Sequence, residues 1–214
     1  GSQSEIIAAK AGTSIRLTID RDIQWVASQA IADAVKSANA SSGTVIVMDP
    51  KTGAILAHAT APTFDLNNRD SISLAAMRNP SVQDVYEPGS TGKIMTIAAA
   101  IEEKKVTPTT VFTIPYKVKR AGTFFHDHEP HPKQRLTTSG VLAVSSNTGT
   151  IMIGEKLTNN QLHDYLTKFG IGVSTGSGLP GESRGILRPV SDWSGTTAPT
   201  VAFGQGYSVT AMQA

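Results

Sequence analysis

The sequence predicts an α+β domain, and three observations carry the prediction. An alternating apolar–polar stretch runs into an amphipathic helix, two β-branched runs flank a tight turn, and the second half clusters helical segments instead of alternating βαβ units. Ser14 to Ile19 alternates as a half-buried strand does. Asp20 reads as the N-cap of a helix whose Ile23, Val26, Ala27, Ala30, Ile31 and Ala34 recur at the spacing of one buried face. Gly43 to Asp49 and Ala54 to Thr60, either side of Pro50-Lys51-Thr52-Gly53, predict a hairpin. A polar stretch with Pro62, Asn67, Asn68 and Pro80 ends in Glu87-Pro88-Gly89.

From Ser90 to about Lys104 the pattern is helical, with Ile94, Ile97, Ala98 and Ile101 on one face. Pro88-Gly89 would present Ser90 at or near that helix's N-terminus. Residues 106–135 read as strands and then a loop with a histidine-rich tip. Thr137 to Val144 and Thr148 to Leu157 predict short helices separated by Ser145-Ser146-Asn147. Leu162, Tyr165, Leu166 and Phe169 make another amphipathic helix, which Gly170 stops as a C′ glycine does. The remainder reads as glycine-rich loop until a last helix after Tyr207.

Composition bounds the function. A net charge of +2 is too small to argue for nucleic acid or an anionic membrane as partner. With no cysteine, disulfides and thiolate metal sites are excluded. The longest apolar stretches, such as Ile94 to Ile101, fall far short of the ~20 residues of a membrane helix. Residues 1–13 read as a linker remnant opening on a Gly1-Ser2 cloning scar, and 14–214 as the domain.

The chemistry concentrates at Ser90-Thr91-Gly92-Lys93. A serine hydroxyl is a poor nucleophile until a base takes its proton. A lysine three residues on along a helix shares its face, and it serves as base only where burial or neighbouring charge depresses its pKa. Of eleven lysines, only Lys93 has a serine three positions before it. A bare S-x-x-K is more often a helix cap followed by an exposed lysine, so the context decides.

That context resembles the class B penicillin-binding proteins. Val85 to Lys93, V-Y-E-P-G-S-T-G-K, is similar to their active-site segment E-P-G-S-T-x-K. Ser145-Ser146-Asn147-Thr148-Gly149 matches their second motif, S-x-N. Gly178-Leu179-Pro180-Gly181-Glu182, Phe203 to Thr210, Leu17-Thr18-Ile19-Asp20 and Val47-Met48-Asp49-Pro50 resemble further family stretches. The front half leans toward the septal type and an actinobacterial source.

The resemblance implies the penicillin-binding protein and serine β-lactamase-like transpeptidase fold, an antiparallel sheet flanked by helices. It also implies a peptidoglycan D,D-transpeptidase without cofactor or metal. Ser90 would attack the D-alanyl-D-alanine end of a stem peptide, and Lys93 would accept its proton. Ser145 would relay a proton to the leaving amine, and Asn147 would bind the substrate amide and hold Lys93 in place. β-Lactams would acylate Ser90. Localisation would be the extracytoplasmic face of the bacterial cell membrane, with cell-division or elongation membrane proteins reached through regions outside this sequence. In the family a K-T-G strand follows the last matched segment, so the sequence reads as stopping before the third motif. The fragment alone is then expected to be inactive.

Several features compete with these. Lys51-Thr52-Gly53 spells K-T-G but precedes the other motifs and reads as a solvated turn. Glu155 and Asn159 have the spacing of a β-lactamase deacylating loop, yet read as surface residues. Ser37-Ala38-Asn39 fits S-x-N at the polar end of a helix. His126, Asp127, His128, Glu129 and His131 read as an exposed loop on the rim of the site, with a metal role as the lesser alternative.

Overall fold

Asp20 starts the first helix. Its carboxylate accepts from the backbone N–H groups of Asp22 and Ile23, and helix α1 runs Arg21–Ser37. The computed structural model describes residues 10–68, 72 and 77–214, so positions 1–9 of the expected linker lie outside the described residues. Strands β1 (Gly43–Met48) and β2 (Ile55–Ala61) pair antiparallel as the expected hairpin, with a bulge between Val47 and Met48. Asp49 builds its turn, accepting from Lys51 N at 2.9 Å and Thr52 Oγ1 at 2.8 Å.

Two expectations change here. Ser14 to Ile19 forms no strand, and Ile15 and Leu17 are 85% and 71% exposed. Alternation becomes a strand only beside a partner ladder, and the first sheet holds β1 and β2 alone among the described residues. The α1 face is also rotated. Ala27 is buried and Ile31 packs with it against Ala57 and Ala59, while Val26, Ala30 and Ala34 stay exposed. Gln24 turns inward because its amide bridges β2, donating to His58 O and accepting from His58 N.

The elements through Thr63 form one compact unit, and Phe64–Ala214 form a second, parting inside the polar stretch. In the second unit come α2 (Pro80–Gln83), a 3-10 turn at Gly89–Gly92, α3 (Lys93–Glu102), β3 (Val111–Ile114), β4 (Lys117–Arg120), β5 (Thr123–His126) and β6 (Gln134–Thr137). Helices α4 (Thr138–Ala143), α5 (Asn147–Gly154), α6 (Asn159–Lys168) and α7 (Thr197–Ala202) follow. Among the described residues the strands make three two-stranded antiparallel ribbons, β1–β2, β3–β6 and β4–β5. The β4–β5 hairpin is inserted between β3 and β6, so each pair closes on itself.

Ile97, Phe112, Ile114, Ile153, Leu166 and Val201 meet in the core of this unit. Full burial of each such side chain contributes about 1.5–3 kcal/mol. The buried face of α3 is Lys93, Thr96, Ile97 and Ala100, whereas Ile94 is 56% exposed, so the expected apolar face is displaced by a polar pair. Helix α6 ends as expected, with Gly170 N donating to Thr167 O and Ile171 N to Leu166 O across a left-handed Gly170. Helix α7 lies in the stretch read as loop, its Pro199 accommodated in the first turn and its Val201 and Ala202 buried. The helix expected after Tyr207 is absent, because Ser208 and Val209 pair instead with Ile186 and Tyr86.

Candidate active site

The 3-10 turn that carries Ser90 is clamped from one segment. Gly89 N donates to Gly204 O at 2.8 Å, and Gly206 N donates to Glu87 Oε1 at 2.8 Å. Tyr86 and Val209 exchange both backbone hydrogen bonds at 2.9 Å. Thr91 Oγ1 closes on Pro88 O at 2.8 Å. Ser90 itself is exposed, one 3-10 turn ahead of α3. The Phe203-to-Thr210 stretch thus holds the serine turn in place.

Lys93 opens α3 and is 1% exposed. Its ammonium donates to Ser145 O at 2.5 Å and Ser145 Oγ at 3.0 Å. Burial pushes the Lys93 pKa down to about 8, with the negative charge of Asp127 pulling the other way. A base poised so near neutrality is what serine activation needs.

Ser145 sits at the joint between α4 and α5, in the left-handed region with φ 56°. Ser145 N donates to Leu142 O and Ser146 N to Val141 O, both at 3.0 Å, which is a Schellman closure with serine where glycine is usual. The joint turns the carbonyl and hydroxyl of Ser145 toward Lys93. Asn147 is the first residue of α5, and its side-chain amide donates to His126 O at 3.0 Å.

Ser90, Ser145 and Asn147 line one cleft of about 620 Å³ with Val144, Gln134, Asp127, His128, Glu129 and His131. The four motif residues therefore converge, Lys93 reaching the cleft through Ser145. The sequence reading missed Asp127. This carboxylate is 7% exposed, and accepts from Thr148 N at 2.9 Å, Ser146 Oγ at 2.8 Å and His131 Nε2 at 2.9 Å. Burial alone would push its pKa up; the hydrogen bonds outweigh that and hold it below the usual carboxylate range. The signal available was an acid inside a histidine-rich loop, with nothing in the sequence to pair it with a serine nineteen positions on.

His128 and Glu129 are exposed as expected and face each other at 3.4 Å, whereas His131 is largely buried against Asp127, its side chain 15% exposed. Among the described residues no three His, Asp or Glu side chains converge as metal ligands. Lys51-Thr52-Gly53 caps the β1–β2 hairpin. Arg120 engages both carboxylate oxygens of Glu155.

Residues 43–214 match the profile of the penicillin binding protein transpeptidase domain. The chain belongs to the penicillin-binding protein transpeptidase family. Among curated members, it is 37% identical to penicillin-binding protein PbpB of Mycobacterium tuberculosis, over 100% of this chain and 32% of that protein. It is 34% identical to the peptidoglycan D,D-transpeptidase FtsI of Escherichia coli, over 96% of this chain and 34% of that protein. Among solved structures, penicillin binding protein 3 of M. tuberculosis in complex with aztreonam superposes with TM-score 0.85 at 38% identity, covering 92% of this chain and 44% of that one. A peptidoglycan synthetase from Bifidobacterium adolescentis gives TM-score 0.85 at 37% identity, over 92% and 36% of the two chains. The chain spans about a third of the length of these curated relatives. The transpeptidase fold expected from the motifs is the fold observed.

Proposed function

We propose that this chain carries the serine acyl-transfer site of a peptidoglycan D,D-transpeptidase of the septal class B type. The observation that carries the reading is Lys93, buried one turn beyond an exposed Ser90, with a pKa near 8 and both its hydrogen bonds to Ser145. Neutral Lys93 takes the Ser90 proton as Ser90 Oγ attacks the carbonyl of the penultimate D-alanine of a stem peptide. The tetrahedral intermediate collapses, the peptide C–N bond breaks, and the amine of the terminal D-alanine leaves with a proton relayed through Ser145. Asn147 binds the substrate amide. The amine of a neighbouring stem peptide then attacks the ester, gives up its proton to the lysine, and leaves a cross-link with Ser90 regenerated.

A β-lactam presents its strained amide to the same serine, and its acyl-enzyme persists because no amine reaches it. The relatives named for this reaction, and the relative solved with aztreonam, support the reading. The same reading places the site outside the cytoplasm, where peptidoglycan is, with membrane division proteins as partners of the longer protein. Intact-protein and peptide mass spectrometry after penicillin treatment tests it. A single adduct on Ser90, lost in Ser90→Ala, is expected; an adduct retained by Ser90→Ala refutes it.

A further inference from the structure

We infer that Asp127 is a positioning residue for acyl transfer, tying the β5–β6 connection to the start of α5 so that Ser145 stays turned toward Lys93. The inference rests on the reading of Ser90 and Lys93 just given, and adds a residue that none of the three motifs contains.

The argument starts from strain. A non-glycine residue in the left-handed region costs roughly 1–2 kcal/mol and persists only where its surroundings over-determine it. Ser145 is such a residue, at φ 56°. Its N-terminal side is held by the last turn of α4. Its C-terminal side is Ser146, at once the residue closing α4 and the N-cap of α5. Ser146 Oγ accepts from Gly149 N at 2.9 Å and donates its only proton to Asp127 Oδ2 at 2.8 Å. Asp127 Oδ1 takes the next free helix N–H, that of Thr148. One carboxylate from another element thus satisfies the α5 terminus that the Ser146 hydroxyl leaves open, in the sense the helix dipole favours.

His131 completes the arrangement, its Nε2 2.9 Å from Asp127 Oδ2. A carboxylate this buried is tolerated only when so fully hydrogen-bonded, which makes the network rigid. The negative charge also acts on Lys93. Asp127 therefore sets two things together: where the Ser145 groups lie, and how readily Lys93 releases its proton. The remaining charged groups at the cleft, His128 and Glu129, are 96% and 82% exposed and face each other.

The test is the pH profile of penicillin acylation in the full-length protein, per active site, for wild type, Asp127→Asn and Asp127→Glu. His131 also titrates and is bonded to Asp127, so each profile is taken both in the native background and with His131→Gln, and the limb followed is the one present in both. Asp127→Asn should lower the plateau rate at least ~10-fold, since misplacement of about 1 Å can cost ~100-fold. Its rising limb should move to lower pH, because Lys93 loses the neighbouring negative charge. Asp127→Glu should lower the plateau but leave the limb in place. A plateau within twofold of wild type in Asp127→Asn, or a limb that does not move, overturns the inference. Should Asp127→Asn fail to fold, Thr148→Val, which removes one hydroxyl from the network, is expected to lower the plateau several-fold with the limb unmoved; a rate unchanged within twofold overturns it equally. Failure of the functional reading is a separate result: wild type itself would then carry no adduct on Ser90.

Discussion

The phenol oxygen of Tyr207 lies against Gly92, the last residue of the serine turn, where a side chain would overlap it and come within 2.8 Å of Gly204 Cα. Tyr207 is 2% exposed, and its hydroxyl has no hydrogen-bond partner among the described residues. The contact lets the 204–209 segment close on the turn that presents Ser90.

Gly92→Ala should therefore displace the turn. Moving either Tyr207 or Gly204 shifts the Gly89–Gly204 hydrogen bond and with it Ser90. Overpacking of this kind costs about 1–3 kcal/mol, and a displaced nucleophile can lose ~100-fold in rate. Thermal melting and penicillin acylation together check both; a variant acylating at the wild-type rate would show that the close approach is not needed.

Tyr207→Phe should behave in the opposite way. Removing a buried hydroxyl that lacks a partner relieves a desolvation cost of about 1–3 kcal/mol. A melting temperature equal to or above wild type is expected, with acylation retained. A clear loss of stability would mean that the hydroxyl has a partner in solution.

Acylation should follow the ionisation of Lys93. Its pKa is lowered to about 8, and only the neutral amine accepts the Ser90 proton, so the rate rises with pH toward that value and levels off beyond it. Lys93→Arg keeps the charge but cannot deprotonate, so a loss of at least ~100-fold is expected. A rate within a few-fold of wild type would assign Lys93 an electrostatic role only.

Lys51→Ala should leave acylation unchanged and stability within about 0.5 kcal/mol, since the turn is held by backbone and by Asp49. Asp49→Ala in the same turn should cost about 1 kcal/mol, because two hydrogen bonds go with it. Chemical denaturation of the pair distinguishes them. Lost β-lactam binding in Lys51→Ala would bring this early K-T-G into the site.

What the sequence determined by itself was whatever depends on neighbours a few positions apart. The Asp20 cap, the Asp49 turn between the two β-branched runs of the hairpin and the Gly170 stop each rest on hydrogen bonds between residues at most five positions apart. Ser90, Ser145 and Asn147, singled out by motif spacing, line one cleft, and Lys93 meets it through its hydrogen bonds to Ser145. The faces of α1 and α3 were misjudged because Gln24 and Thr96 bury polar groups against distant backbone, at His58 and Ala202, which periodicity counts as solvent-facing. Helix α7 escaped because its six residues are held by burial and not by propensity. Tertiary structure alone decided that Lys93 is buried, that Ser145 is left-handed and turned toward it, and that Asp127 reaches the α5 terminus. The Lys93–Ser145 contact spans 52 positions and the Asp127–Ser146 contact 19, and a proton's affinity for a lysine is set by the dielectric and charge that such distant segments bring around it.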